Sequence, residues 1–406
     1  MIEYHQKLYS KNPRLLERES ILIGALPPPA VGQSLAFQML CMGYQERGLP
    51  FKVIDIGGHD PDRRDGSFSF LRLAKLLKSF FQAATLLVKK KRNLYLTIAQ
   101  SWNGFMRDLI FILLGWMGGH RLVLHLHGGN YKIFYTHQSS FRKCLIRWTL
   151  SKSDRILILG ESLRSLFDFL PSYENKVSVV FNGIPMDEKN IPKSAKQLPQ
   201  ASSLLQASQD CSAPIRILYL SNLIESKGYL YLLEAVRILV KEYRISLECH
   251  FCGRFLIASD SVLFHSPIKA EEDFLRRIRE YGLEKEVLWK KTVLGEEKEK
   301  ELQDAHFFVL PTHYNNEGQP LSIIEALAYG CVVISTEYRT IPEMLDYGKA
   351  GVLVPDANPE AIAQNVRQFL SQPEEFLSLS QRAMKQYQKY FTREAHVESL
   401  IQQICN

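Results

Sequence analysis

Residues 315–342 read NNEGQPLSIIEALAYGCVVISTEYRTIP and hold two glutamates, Glu317 and Glu325, separated by seven residues. Gly318, Gln319 and Pro320 follow the first glutamate; Ala326 and Gly330 follow the second. The preceding run, 306–311 (HFFVLP), is apolar and rich in β-formers, as a buried parallel strand is. Pro320 suits a first helical turn and Gly330 a helix end. The pattern therefore predicts a strand, a tight loop, a helix from about Pro320 and Leu321 to Gly330, and a further strand at 332–335. A helix N-terminus offers unpaired N–H groups and partial positive charge, which suit phosphate. Gly318 lets a ligand approach the backbone. Glu317 lies at the ligand's mouth, and Glu325, about a turn into the helix, can accept hydrogen bonds from vicinal hydroxyls. A diphosphate flanked by a sugar and a ribose, that is, a nucleotide-sugar, satisfies all three features.

The elements that must position these residues repeat along the chain. Strand-like runs at 20–26, 52–56, 94–99, 122–126, 155–159 and 177–181 alternate with helical patterns, which predicts a parallel sheet covered on both faces. A polar stretch at about 186–214 reads as a linker and surface excursion. The alternation restarts at 215–220 and continues at 247–251, 287–290, 307–310, 332–335 and 351–354. This predicts two Rossmann-like domains, residues 1–190 and 215–385, joined by a linker at 191–214. The last helical stretch, about 373–405, carries a break near Phe391 and Thr392.

The chain has 406 residues, 46% of them hydrophobic and 23% charged, ordinary values for a globular protein. The net charge of +7 is compatible with anionic ligands or an anionic membrane surface, and no basic tail or nucleic-acid motif accompanies it. Seven scattered cysteines fit reduced, cytosolic usage. Cys249 and Cys252 have C-x-x-C spacing in a strand-like run, but no second pair completes a zinc site. The start is polar and basic, unlike a signal peptide, and the longest apolar run, 109–119, is about half the ~20 residues that span a bilayer. The expected location is cytoplasmic.

Several strand ends carry further candidates. Residues 221–228 (SNLIESKG) bring Asn222, Lys227 and Gly228, where a lysine can neutralise phosphate as a point charge. Arg254 follows a strand, and ligands of α/β sheets bind beyond the carboxyl ends of strands. Leu294 lies in another such loop. Gly32 follows the first strand after three prolines, without the G-x-G-x-x-G fingerprint of a dehydrogenase. His125 and His127 share one face of a strand that ends in two glycines. Asp60 and Asp62 form a D-x-D in a polar loop remote in sequence from the glutamate pair, a poor metal site. Apolar residues at Phe70, Leu73, Ala74, Leu77, Phe81, Ala84 and Val88 recur at helical spacing among basic residues. That helix either packs its apolar stripe on its own sheet or lies on an anionic bilayer, as the basic-apolar segment 141–155 also could.

The stretch from Glu317 to Gly330 resembles the signature of retaining glycosyltransferases of family 4, which have the GT-B fold. The resemblance is strong over about 215–365 and diffuse in the first domain. It implies an α/β fold of two Rossmann-like domains whose parallel sheets face each other across a cleft, with the final helix, about 386–406, packing back on the first domain. It implies transfer of a sugar, with retention, from a nucleotide-diphosphate sugar to a polysaccharide, lipid-linked or other glycan acceptor, without metal or cofactor. In the family the first glutamate and following amides hold the donor sugar and phosphates, here Glu317, Gly318, Gln319, Pro320 and Leu321. The second glutamate, here Glu325, binds ribose. Lys227 grips the diphosphate; the neighbourhood of Leu294 holds the base; Gly32 belongs to the loop facing the phosphates; His127 contacts the donor sugar. Arg254, by its strand-end position alone, is either a further cation for the phosphates or sugar or an ordinary surface arginine. Glu317, His127 and Lys227 are thus the expected catalytic residues. The arginine usual in the Gly-Arg-Leu motif is Asn222 here. That departure keeps open a non-catalytic nucleotide-sugar-binding subunit, and a nucleotide-sugar epimerase of the same fold is the enzymic alternative. Asn182-Gly183 resembles the family's turn before the crossover.

Overall fold

The computed structural model describes residues 18–29, 31–57, 70–87, 91–186, 189–198 and 214–406, with the side chains of 70–76 and 87 outside that set. The loop with Asp60 and Asp62, and residues 199–213 of the expected linker, lie outside the described residues.

Among the described residues, twelve strands form two six-stranded parallel sheets. The first holds β1 (Ser20–Gly24), β2 (Phe51–Asp55), β3 (Asn93–Ile98), β4 (Arg121–Leu126), β5 (Arg155–Ile158) and β6 (Val177–Val179), in the order β2-β1-β3-β4-β5-β6. Its longer helices are α1 (Gly32–Glu46), α2 (Phe70–Leu87), α3 (Trp102–Met117) and α4 (Ser140–Leu150). Side chains alternate across a strand, so each sheet face has its own core. Ile21, Ile23, Leu94, Leu96, Leu122 and Leu124 pack under α2, α3 and α4. Leu22, Tyr95, Val123 and Leu157 point the other way, against α1 and the C-terminal segment.

The second sheet holds β7 (Ile215–Leu220), β8 (Leu247–Cys252), β9 (Val287–Trp289), β10 (Phe307–Leu310), β11 (Val332–Thr336) and β12 (Val352–Val354), in the order β12-β11-β10-β7-β8-β9. Its longer helices are α5 (Tyr229–Arg237), α6 (Pro267–Tyr281), α7 (Gly295–Asp304), α8 (Leu321–Ala328), α9 (Pro359–Ser371) and α10 (Pro373–Tyr390). The order reverses between β7 and β10. In an open α/β sheet, the crevice beyond the carboxyl ends of two such strands is where ligands bind. After a break at Phe391 and Thr392 comes α11 (Arg393–Cys405), whose Val397, Leu400, Ile401 and Ile404 join the core of the first sheet. Contacts accordingly divide the chain into one unit reaching Pro185 plus Thr392–Asn406, and another of Met186–Phe391.

Two sequence readings are corrected. The start of the polar linker is docked rather than free. The Lys196 amide donates to Ser380 Oγ at 3.0 Å, and Lys196 Nζ donates to the carbonyls of Leu302 and Gln303 at 2.6 and 2.7 Å. A lysine there satisfies carbonyls that the end of α7 leaves unpaired. In α2, the stripe through Leu77 and Phe81 does not pack on the sheet. Phe80 and Ala83 face the core, Phe80 meeting Phe111 at a ring separation of 4.9 Å, while Phe81 is 74% exposed. Cys249 and Cys252 are buried in β8, and three residues apart on a strand they lie on opposite faces of the sheet.

Candidate active site

The loops after β7 and β10 converge at the switch point of the second sheet. Lys227 Nζ lies 3.1 Å from Glu317 Oε2, and both side chains are largely out of water. Thr312 Oγ1 lies 3.4 Å from the same carboxylate oxygen, and the Lys227 ammonium stands 5.3 Å from the centre of the Tyr314 ring. The two loops are joined by backbone as well: the His313 amide donates to the Ser226 carbonyl at 2.7 Å. Tyr219, buried in β7, donates from its hydroxyl toward the carbonyls of Asn222 and Lys227 at 3.3 and 3.4 Å. Gly228 closes the turn with φ 78°, and a Cβ there would meet the Pro311 carbonyl oxygen at 2.1 Å. Only glycine permits that approach, so the Lys-Gly pair is where the β7 loop presses against the end of β10.

Gly318, Gln319 and Pro320 are buried beside Glu317, and the Gly318 carbonyl accepts from Thr340 Oγ1 at 2.7 Å. Pro320 caps α8 with an extended φ of −67° and ψ of 112°, and Leu321 opens the helix. The first amides of a helix lack intrahelical acceptors, so this end presents donors next to the Lys227 ammonium. Glu325 stands one turn along α8, half-buried, with Oε1 2.7 Å from Lys298 Nζ. Lys298 belongs to α7, whose cap is Leu294, 72% exposed. The loop expected to hold a base and the carboxylate expected to hold a ribose are thus tied by one ion pair. Arg254 is exposed just beyond Gly253 at the end of β8, and Asn222 is exposed on the β7 loop.

Two expected residues lie in the first unit. Gly32 is the first residue of α1, whose start is held by Ser34 Oγ, which donates to the Pro29 carbonyl at 2.7 Å and accepts from the Val31 amide at 3.0 Å. His127 follows β4, with its ring 4.0 Å from that of His125. The strand alternation that puts both histidines on one face therefore holds. His125 is buried and its Nδ1 lies 2.7 Å from the Tyr95 hydroxyl. Burial pulls the His127 pKa down to about 3; His396 reinforces this and the Asn182 side chain partly opposes it. His127 is therefore a neutral imidazole at neutral pH, equipped for hydrogen bonding rather than for general acid chemistry.

Lys298, Thr312 and Thr340 were not legible as site residues. Lys298 sits in GEEKEKELQD, a helix whose composition reads as solvated throughout. Asn182 read as a turn residue, yet it is buried and faces His127. His396 gave no local signal, since α11 reaches the first sheet from the far end of the chain.

Two α/β units with parallel six-stranded sheets, and a helix N-terminus at the switch point of the second, define the GT-B fold of glycosyltransferases. The overall likeness extends to solved structures. Anabaena HepE in complex with UDP and glucose superposes with a TM-score of 0.64, at 13% identity, over 96% of this chain and 99% of that one. Residues 206–388, which contain the Lys227, Glu317 and Glu325 site, match the model of the family Glycosyl transferases group 1. Among curated relatives, AmsK of Erwinia amylovora, an amylovoran biosynthesis glycosyltransferase, is 25% identical over 322 residues, 75% of this chain and 74% of that one. WcaL of Salmonella typhimurium, named for a glycosyltransferase role in colanic acid biosynthesis, is 29% identical over 203 residues. That match spans 47% of this chain and 46% of WcaL, about half of each.

Proposed function

We propose that the protein is a retaining glycosyltransferase of polysaccharide assembly that takes its sugar from a nucleotide-diphosphate sugar. The observation that carries this reading is the pairing of Lys227 with Glu317 at the head of α8, one turn from Glu325. The diphosphate sits against the α8 N-terminus and Lys227, the ribose diol on Glu325, and the base beside Leu294. Glu317 accepts hydrogen bonds from the donor sugar. The names of AmsK and WcaL, glycosyltransferases of amylovoran and colanic acid biosynthesis, support polysaccharide assembly as the setting, and the acceptor proposed is a polysaccharide or lipid-linked glycan.

Departure of the nucleoside diphosphate develops charge on its outer phosphate. Lys227 and the oriented amides of α8 meet that charge without reorganising, which is how a fixed electrostatic site lowers a barrier. This supports metal-independent transfer. Glu317 is engaged by Lys227 and Thr312, so it serves as a holder of the sugar rather than a nucleophile. The acceptor oxygen then attacks from the face the diphosphate leaves, and the departing phosphate takes the acceptor proton. Mass-spectrometric detection of a sugar covalently attached to Glu317 would overturn that route.

Asn222 supports a second reading, a subunit that binds the nucleotide-sugar without transferring it, because an exposed amide replaces a cation on the phosphate side. Thermal stabilisation by a panel of nucleoside diphosphates and nucleotide-sugars, with and without magnesium, tests the donor site. A ligand at a hundred times its dissociation constant stabilises by about 2.7 kcal/mol. A metal-independent shift lost in both Lys227→Ala and Glu325→Ala is expected. Folded wild-type protein that responds to no donor defeats the assignment, and a response without sugar transfer to any glycan acceptor favours the binding subunit.

A further inference from the structure

The basic excess of this chain is concentrated in one stretch. Residues 66–153 contain fourteen lysines and arginines and a single acidic residue, Asp108. With a whole-chain net charge of +7, the rest of the protein is net acidic. Asp108 offers the surface no negative charge, because it is buried, 2.8 Å from Arg107 and accepting the Ala99 amide.

The same stretch builds α2, α3 and α4, which cover one face of the first sheet. Their outer surfaces are apolar where water should meet them. On α2, Leu77 and Phe81 are exposed. On α3 the outward stripe is Met106, Ile110 and Met117, at helical spacing, with Met117 68% exposed. On α4 it is Phe141 and Trp148, with Phe141 77% exposed. Helices packed on a sheet normally show the reverse pattern. Adjacent helices are joined across this surface, α3 to α4 through Trp116 and Trp148, whose rings lie 6.0 Å apart edge to face. Lys152 Nζ stands over both rings, at 4.5 and 4.9 Å. Arg142 stands over Trp102 at 4.2 Å.

We infer that the outer surface of α2, α3 and α4 docks on an anionic lipid bilayer. A soluble polyanion would be met by the charge alone and leaves the apolar stripes without a purpose. A bilayer surface uses both: aromatic rings with a polar edge settle at headgroup level, methionine and phenylalanine enter the acyl boundary, and cations on long stems lie beside the rings and reach phosphate. Among the described residues no helix is long and apolar enough to cross a membrane, so the contact is interfacial. This inference does not depend on the donor site, and its test requires no nucleotide-sugar.

The test is sedimentation of the full chain with phosphatidylcholine vesicles, with and without phosphatidylglycerol, over a salt series, with tryptophan emission recorded. Binding to the anionic vesicles, weakening with salt and accompanied by a blue shift from Trp116 and Trp148, is expected. Phe81→Ser, Met117→Ser and Phe141→Ser combined should weaken binding at least tenfold. Lys152→Glu with Arg147→Glu should abolish the preference for anionic lipid. These side chains are exposed or half-exposed, and an unchanged melting temperature without vesicles checks that each variant is folded. Absence of binding at low salt overturns the inference. Binding that survives the apolar substitutions overturns lipid insertion and leaves a polyanion contact. A dimer in sedimentation equilibrium that the same substitutions dissociate reassigns the surface to a second copy of the chain.

Discussion

Lys227 and Glu317 arrive on loops that follow two different strands, β7 and β10, and meet at 3.1 Å with both side chains largely buried. Each is the other's main charged partner, in the site proposed for the phosphate and sugar of a donor. Removing one partner of a buried pair costs about 3–5 kcal/mol, because the other charge is left uncompensated. Lys227→Met should therefore lower the melting temperature sharply and abolish donor binding. Adding Glu317→Gln should recover much of the stability and none of the binding. Calorimetric melts and titrations of the two variants separate the structural role of the pair from its ligand role. Equal binding by wild type and Lys227→Met would remove Lys227 from the phosphate site.

The Lys298–Glu325 contact, 2.7 Å, makes a second prediction. In the proposed donor site a ribose diol competes with this ammonium for the carboxylate or shares it. Glu325→Gln should weaken nucleoside diphosphates by roughly tenfold, about 1.4 kcal/mol, the worth of a hydrogen bond to a charged group. The same change should matter far less for a 2′-deoxy analogue. Lys298→Met, which leaves Glu325 unpaired, should alter the affinity of the ribose ligand more than that of the deoxy one. Titration calorimetry with the matched pair reads the difference, and identical losses for both sugars would show that Glu325 does not contact the diol.

The strands were legible because a buried parallel strand is a continuous run of β-branched and aliphatic residues: Phe307–Leu310 and Ile215–Leu220 are bounded in the structure as their sequence suggests. The glutamate pair was legible because Gly318, Pro320 and Gly330 punctuate a short helix around it. What was hidden depends on placement by the fold. Lys298 becomes a partner of Glu325 only because β9 leads into α7 beside α8, and nothing within GEEKEKELQD distinguishes one lysine from the next. The direction of α2 was hidden for a related reason. Both of its faces carry apolar residues, and periodicity selected the richer stripe, whereas the sheet selected Phe80 and Ala83.

Asn222 is exposed on the β7 loop, and its backbone carbonyl lies 3.3 Å from the Tyr219 hydroxyl, which also reaches the Lys227 carbonyl. Asn222→Arg would place a guanidinium on the same loop as Lys227. An exposed charge contributes little, so the gain for a diphosphate should be about 1 kcal/mol at low salt, roughly fivefold in affinity, and should shrink as salt is raised. If transfer accelerates in step with affinity, phosphate grip limits the wild-type enzyme. If affinity rises and no transfer appears in either form, the binding-subunit reading gains. No change in affinity would place the side chain away from the phosphates.

Three buried histidines make the stability of the first unit depend on pH. His125 and His127 are held below the ordinary histidine range by burial, His127 at about 3, and His396 is lowered by burial to about 4. In the unfolded chain each would protonate near its ordinary value of 6.5. Between that value and the folded pKa the unfolded state binds more protons, so stability must rise with pH across the window and fall on acidification. At pH 5 each such group costs on the order of 2 kcal/mol relative to pH 7, since one unit is worth about 1.36 kcal/mol. Wild-type protein should therefore lose melting temperature steeply between pH 7 and pH 5. His127→Gln, which cannot titrate there, should lose less over the same interval, whatever its stability at pH 7. Turnover, by contrast, should show no limb near pH 6.5 that His127→Gln removes, because the imidazole stays neutral throughout. Parallel melting curves of wild type and variant would show that His127 titrates as it does in water, and a turnover limb near pH 6.5 that disappears with the substitution would make it a proton donor after all.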